Sequence, residues 1–101
     1  MYSDVLKSKR NNYIESYNKV LNTSNSLASS ISSLRSVLDI QNHCYSVNDV
    51  SGGSNYLEHL LEQENAIYSN LVNNVLPGIK DRVDSLNDSI SDALRQESEN
   101  Y

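Results

Sequence analysis

The sequence predicts an all-α protein, an antiparallel two-helix hairpin that forms one domain over residues 1–101. The chain has one Pro and three Gly, too few turn residues for a sandwich, a barrel or a βαβ fold. Apolar residues recur at steps of three and four in two long stretches, which is the period of a packed helix. A polar stretch that contains two adjacent glycines separates them, and we expect the chain to reverse there.

The first helix is predicted over about residues 4–40, because its apolar residues form a heptad row. Arg10 and Ser24 fill the two gaps in that row, and neither Gly nor Pro interrupts it. A helix of roughly 35 residues is about 50 Å long. The row consists of Leu6, Tyr13, Tyr17, Val20, Leu27, Ile31, Leu34 and Leu38.

The loop is predicted over about residues 41–54, where Asn, Asp, Ser and Gly are concentrated. A glycine-rich loop that precedes a helix can also bind phosphate on its free N–H groups. However, neither a strand nor a GxxxxGK[ST] pattern accompanies Gly52 and Gly53. We therefore expect the two glycines to turn the chain and not to bind a nucleotide.

The second helix is predicted over about residues 55–97, with Glu64 as a polar interruption of its apolar face. Pro77 and Gly78 fall inside this pattern. Proline removes a backbone donor and clashes with the preceding turn, so a kink is expected near Pro77. The apolar face consists of Leu57, Leu61, Tyr68, Val72, Val75, Ile79, Leu86 and Ile90.

The net charge of −5 disfavours two classes of partner. Nucleic acids and anionic membranes both bind basic surfaces, so neither is expected here. A run of about 18 apolar residues is also absent, which argues against membrane insertion. The N-terminus lacks the apolar core of a signal peptide, so export would depend on a different route.

The side chains best suited to catalysis or metal binding are His43, Cys44 and His59. Their spacing matches no compact zinc signature. A Cys-His nucleophile would need a concave pocket, which a two-helix hairpin does not provide. We therefore expect a protein without enzymatic activity, metal or cofactor; a small metal-dependent hydrolase is the less favoured alternative.

Each predicted helix has a second apolar line beside its packed face. A two-helix hairpin buries one stripe per helix, so further apolar residues form an exposed patch that indicates a partner site. Alternatively, wide stripes only wrap the groove of the hairpin. The line on the first helix is Ile14, Leu21 and Ala28, and the line on the second is Leu60, Ile67 and Leu71.

The order helix, glycine-containing loop, helix resembles the WXG superfamily of type VII secretion proteins. Val50, Ser51 and Gly52 stand where that family has Trp-x-Gly, and Gly53 and the aromatic Tyr56 follow. The tryptophan is missing. The preceding HCYSVNDV is closer to the small helical proteins that accompany LXG toxins in Gram-positive bacteria.

This resemblance implies a targeting chaperone that binds the helical N-terminal domain of an LXG-type toxin, together with a second small helical protein in some systems. It also implies that the chain is cytoplasmic before export, or secreted with its partner. A Tyr-x-x-x-Asp export pattern is present as Tyr45 to Asp49, but it lies in the loop and not after the second helix. That position favours an adaptor over a small secreted WXG-type substrate.

A different class of function is also open. Two hairpins of this kind can form a homodimeric four-helix bundle, as in self-associating coiled-coil structural modules. The adaptor and the self-associating module differ in what covers the apolar lines.

Overall fold

The computed structural model describes residues 1–44 and 51–99, and within them every residue from Tyr2 onward is helical. Helix α1 spans Tyr2–Cys44, and α2 spans Ser51–Asn70. A π-helix, Leu71–Val75, continues α2 directly into α3, Leu76–Glu99. The prediction of an all-α chain is confirmed. Val50 and the Tyr45 to Asp49 pattern lie outside the described residues.

The described helices form two long arms, α1 and the continuous α2–π–α3 arm. Ser3 N–H and Oγ donate to the Glu97 carboxylate at 3.1 and 2.8 Å, so the start of α1 lies beside the end of α3. Farther along, Arg10 Nη1 donates to Asn87 Oδ1 at 3.2 Å. Leu60 of α2 shares a groove with residues near the end of α1. The molecule measures 81 × 15 × 13 Å.

The core is thin and lies between the arms. All residues of the two predicted apolar rows are buried or half-buried, which agrees with the heptad reading. Leu6, Ile90 and Ala93 form a buried cluster, against which Leu86 packs. The buried apolar side chains among the described residues are Leu6, Ile31, Leu38, Leu76, Ile90 and Ala93.

The helix ends differ from the predicted loop of residues 41–54. Helix α1 continues to Cys44, and α2 already begins at Ser51, so Gly52 and Gly53 lie in the first turn of α2. No glycine of the described chain has a positive φ. The ends of a helix fray more readily than its interior, so the conformational entropy that glycine loses costs less there. The two glycines, which we expected to form a turn, are therefore part of a helix.

This placement reverses the expected effect of alanine at the pair. Glycine in the middle of a helix is less stable than alanine by roughly 0.5–1 kcal/mol and the difference is smaller in the first turn, so Gly52→Ala with Gly53→Ala should raise the melting temperature measured by circular dichroism only slightly. If the double variant melts at a lower temperature, these residues adopt positive φ in solution, and the turn reading is restored.

A kink was predicted near Pro77, and the feature that the structure shows there is a π-helix that ends two residues before the proline. The Leu76 N–H bonds to the Leu71 carbonyl, five residues back, instead of four. Proline lacks an N–H, and its ring clashes with the carbonyl four residues earlier, which is that of Asn73. A widened turn around Asn73 relieves that contact, so the distortion appears upstream of the residue that causes it.

The arm opposite the π-helix carries the most buried residue described, Ser24, at 1 % exposure. Two grooves between the arms lie on either side of Ser24 along α1. One is lined by Tyr17 and Lys80, and the other by Ala28 and Tyr68. Ser24 therefore lies beside the π-helix, which is between Tyr68 and Lys80 on the second arm. The Ser24 hydroxyl donates to the Val20 carbonyl at 2.9 Å, so its polar group is satisfied within α1. A small side chain in this gap of the apolar row leaves space for the wider turn.

Pro77→Ala should convert the π-helix into α-helix. The substitution restores an N–H and removes the ring, so helicity and melting temperature should rise, by on the order of 1 kcal/mol or more in unfolding free energy. Far-UV circular dichroism and thermal melts measure both quantities. A lower melting temperature would mean that the packing of the two arms requires the π-helix itself.

Candidate partner-binding faces

The six residues predicted to bind a partner differ in exposure. Ile67, Ile14 and Leu21 are 55, 40 and 37 % exposed, values that are high for large aliphatic side chains. Ala28, Leu60 and Leu71 are half-buried. On α1 the line is open at Ile14 and Leu21 and half-buried at Ala28, whereas on the second arm it is open only at Ile67.

These residues do not form a single patch. Ala28 lines a groove with Ile31 and Tyr68, whereas Leu60 lines a different groove with Val37. Ala28 and Val37 are nine residues apart, which places them about 180° from each other around α1. The two grooves therefore lie on opposite sides of the paired arms.

Residues at heptad spacing lie on the same side of a helix. The remaining members of each line therefore lie on the same side as Ala28 or Leu60. We call the side that carries Ile14, Leu21 and Ala28 face one, and the side that carries Leu60, Ile67 and Leu71 face two. The patch expected from the sequence is therefore divided into two faces, one supplied mainly by α1 and the other mainly by the second arm.

Face one contains an apolar groove in the terminal half of the molecule. Ile14, Tyr17 and Val83 line it, and Lys80 and Asp84 add one charge of each sign. A groove with an apolar lining and charged residues beside it has the composition of a helix-binding surface.

Face two contains a groove between the C-terminal half of α1 and α2. Leu34, Val37 and Leu60 give it an apolar lining, and three serines contribute small side chains: Ser29, Ser30 and Ser33. Glu64 also lines this groove. Its Oε2 atom is shielded from solvent and has no hydrogen-bond partner among the described residues.

Two exposed apolar residues near this groove were not in the predicted set. Val37 and Ile40 are 51 and 63 % exposed and lie on α1 outside its packed row. The sequence could have identified them as exposed apolar residues, because both are large aliphatic residues at positions that the heptad row assigns to the surface. They extend the apolar surface of face two towards the end of α1.

The predicted loop motif contributes little geometry within the described part of the chain. Gly52 and Gly53 are helical, and the Tyr56 side chain is exposed on α2. An exposed tyrosine ring is well suited to a protein contact. Whether Tyr56 contacts a partner stays a prediction.

The histidines have local contacts. His43 Nδ1 donates to the Asp39 carbonyl at 2.8 Å, and His59 Nε2 lies 3.2 Å from Gln63 Nε2. The described residues contain no group of three or more His, Cys, Asp or Glu that would hold a metal ion. The expectation of a chain without metal, cofactor or catalysis stays a prediction.

None of the described helices is long and apolar enough to cross a membrane. Comparison of the chain with protein-family models, curated proteins and solved structures finds no match. The resemblance to WXG and LXG-associated proteins therefore stays a hypothesis that depends on the sequence features given above.

Proposed function

We propose that this chain is a non-enzymatic adaptor, an antiparallel two-helix hairpin that binds the helical N-terminal domain of an LXG-type toxin for type VII export. It acts in the cytoplasm before export and leaves with the toxin or remains behind. The observation that carries the proposal is the pair of exposed apolar faces along the arms, where Ile14, Leu21 and Ile67 are open to solvent.

The hairpin itself is supported by contacts at both ends of the arms. Ser3 bonds to Glu97, and Arg10 bonds to Asn87. At the other end, two grooves combine the C-terminal half of α1 with α2, as expected when the second arm returns along the first.

The surface area also supports a binding role. The chain exposes 7171 Å², whereas a compact monomer of 11.3 kDa exposes about 5,700 Å² by the usual scaling with mass. An 81 Å molecule only 13–15 Å thick cannot enclose much of its own apolar surface. A helical partner along either face would cover part of this excess.

Two opposite faces fit two helical partners better than one. A toxin helix on one face and a second small helical protein on the other would build a bundle around the hairpin. The mechanism is coupled burial: apolar contact supplies affinity, while the charges of the faces select the partner.

The direct test is co-expression of the chain with the helical N-terminal domain of an LXG-type toxin encoded beside its gene. The proposal expects co-purification in fixed stoichiometry and a higher melting temperature for the complex than for the free chain. If the two proteins purify separately at micromolar concentration, the adaptor proposal is wrong.

Self-association is the second candidate, and one observation favours it. Lys9 and Arg82 line a groove in the terminal half of the molecule, and Lys9 lies four heptads before Val37, hence on face two. A second copy in the opposite orientation would bring these cations towards Glu64. Light scattering of the purified chain separates the candidates: a stable homodimer favours the structural module, and a monomer favours the adaptor.

A further inference from the structure

We propose that the helix that docks on face two presents an Arg or Lys side chain to Glu64, so that this carboxylate selects the partner. The inference deepens the proposed function and depends on it, because it specifies the chemistry of the helix that the adaptor accepts. It follows from the surroundings of Glu64 and from the distribution of charge along the chain.

Glu64 lies within the apolar face of α2, where the heptad row would place an aliphatic residue. Its Oε2 atom is shielded from solvent, and no described residue donates a hydrogen bond to it. The residue as a whole is half-buried, and a carboxylate in such a setting is less well hydrated than one in open solvent. A partner that covers the groove would remove more of that hydration, so its helix has to supply a donor to the carboxylate.

The chain has no suitable cation of its own near this groove. Residues 20–79 contain a single Lys or Arg, which is Arg35. Arg35 lines the groove that contains Ala28 and Tyr68, which belongs to face one. The same stretch contains five acidic residues, Glu64 included. No Lys or Arg of this stretch therefore lies on face two to pair with Glu64, and a partner has to supply the cation.

The rest of the groove defines the neighbours of that cation. Leu34, Val37 and Leu60 offer apolar contact, and the serines beside them have short side chains that leave room for a close approach. An amphipathic helix fits this surface when a basic residue has apolar residues three or four positions on either side. Arginine and lysine both suit the site, because a cationic donor forms a short charge-assisted hydrogen bond with a carboxylate.

The first test uses the free chain and does not depend on any partner. Glu64→Gln keeps the size of the side chain and removes its charge, so its melting temperature should equal or exceed that of the wild type. A clear decrease would show that the carboxylate already has an internal partner, and this would overturn the proposal.

The second test measures binding of the toxin N-terminal domain by isothermal titration calorimetry. Glu64→Gln should weaken binding by about tenfold or more, because a charge-assisted contact in a closed interface is lost. Glu62→Gln is the matched control: it removes the same charge from an exposed position two residues away and should change affinity by less than about twofold.

A charge exchange identifies the cation. Glu64→Lys should abolish binding, and Glu at one basic position of the toxin helix should restore it. If the wild type does not bind the domain, the adaptor proposal fails and this inference fails with it. If the wild type and Glu64→Gln bind equally, the adaptor proposal stands and this inference alone is wrong.

The same variants test a second copy as the occupant. If Glu64→Gln disrupts a homodimer in light scattering, and Lys9→Glu with Arg82→Glu does the same, the cation comes from another copy of the chain. That result would overturn the assignment of Glu64 to a foreign helix. Unchanged light scattering, together with the loss of toxin binding, is the result we expect.

Discussion

Ile67→Asp is expected to abolish co-purification with the toxin's helical N-terminal domain while leaving the circular dichroism of the free chain unchanged. Ile67 is 55 % exposed, so in the free protein a carboxylate at this position stays in water. In the complex the same charge would be buried against apolar side chains without a partner. Such a charge costs several kcal/mol, which is about a thousandfold or more in affinity.

Matched variants locate the binding face. Ala66→Asp introduces the same charge at an exposed residue that points about 100° away around the helix, between the two faces, and it should bind normally. Leu21→Asp tests face one in the same way, since Leu21 is also exposed. Loss of binding in only one of Leu21→Asp and Ile67→Asp assigns the toxin to that face.

Two results would contradict the exposed-face argument. If Ile67→Asp unfolds the free chain, Ile67 belongs to the core and the measurement says nothing about a partner. If Leu21→Asp and Ile67→Asp both fold and both bind normally, neither face holds the toxin helix. Circular dichroism and pull-down on the same samples separate these cases.

The packed rows were predictable from the sequence because burial repeats with the period of the helix. Leu6, Ile31, Leu38 and Ile90 all came from the three-and-four spacing, and all are buried. Ser24 was recognised only as a gap in the row, yet it is the most buried residue described. Hydrophobicity alone cannot identify a position where a small polar side chain is needed and its hydroxyl bonds to the helix backbone.

The helix ends and the π-helix were harder to predict from the sequence. Glycine is the common residue of turns, but in the first turn of a helix its cost is small, so Gly52 and Gly53 are compatible with both states. Pro77 predicted a kink, whereas the feature that the structure shows near it is the π-helix. Its location one turn upstream, at Leu71–Val75, depends on which backbone contacts the chain relaxes around the ring.

The division of the apolar flanks into two faces could not be read from either helix alone. Each line follows from its own heptad pattern, but whether Ala28 and Leu60 lie on one side depends on how the two arms are rotated against each other. The grooves that contain Tyr68 and Val37 decide this question. The shielded oxygen of Glu64 likewise depends on the position of α1 beside it.

Ile90→Ala is expected to cause the largest loss of stability of any single alanine substitution in α3. Ile90 is 5 % exposed and packs with Leu6 and Ala93 in the buried cluster that joins the two arms. Removing this side chain costs about 2–4 kcal/mol, from lost burial and from the cavity that remains. With so few buried apolar residues, that amount is a large share of the stability of a small domain.

Leu94→Ala is the matched control, because Leu94 is a large aliphatic residue of the same helix but is exposed. It should cost less than about 1 kcal/mol. Urea denaturation followed by circular dichroism measures both variants, and added toxin domain should restore the midpoint of Ile90→Ala, since a ligand that binds only the folded state stabilises it. Equal, small losses for the two variants would mean that α3 does not pack on α1 in solution. The antiparallel hairpin, and with it the two faces, would then be wrong.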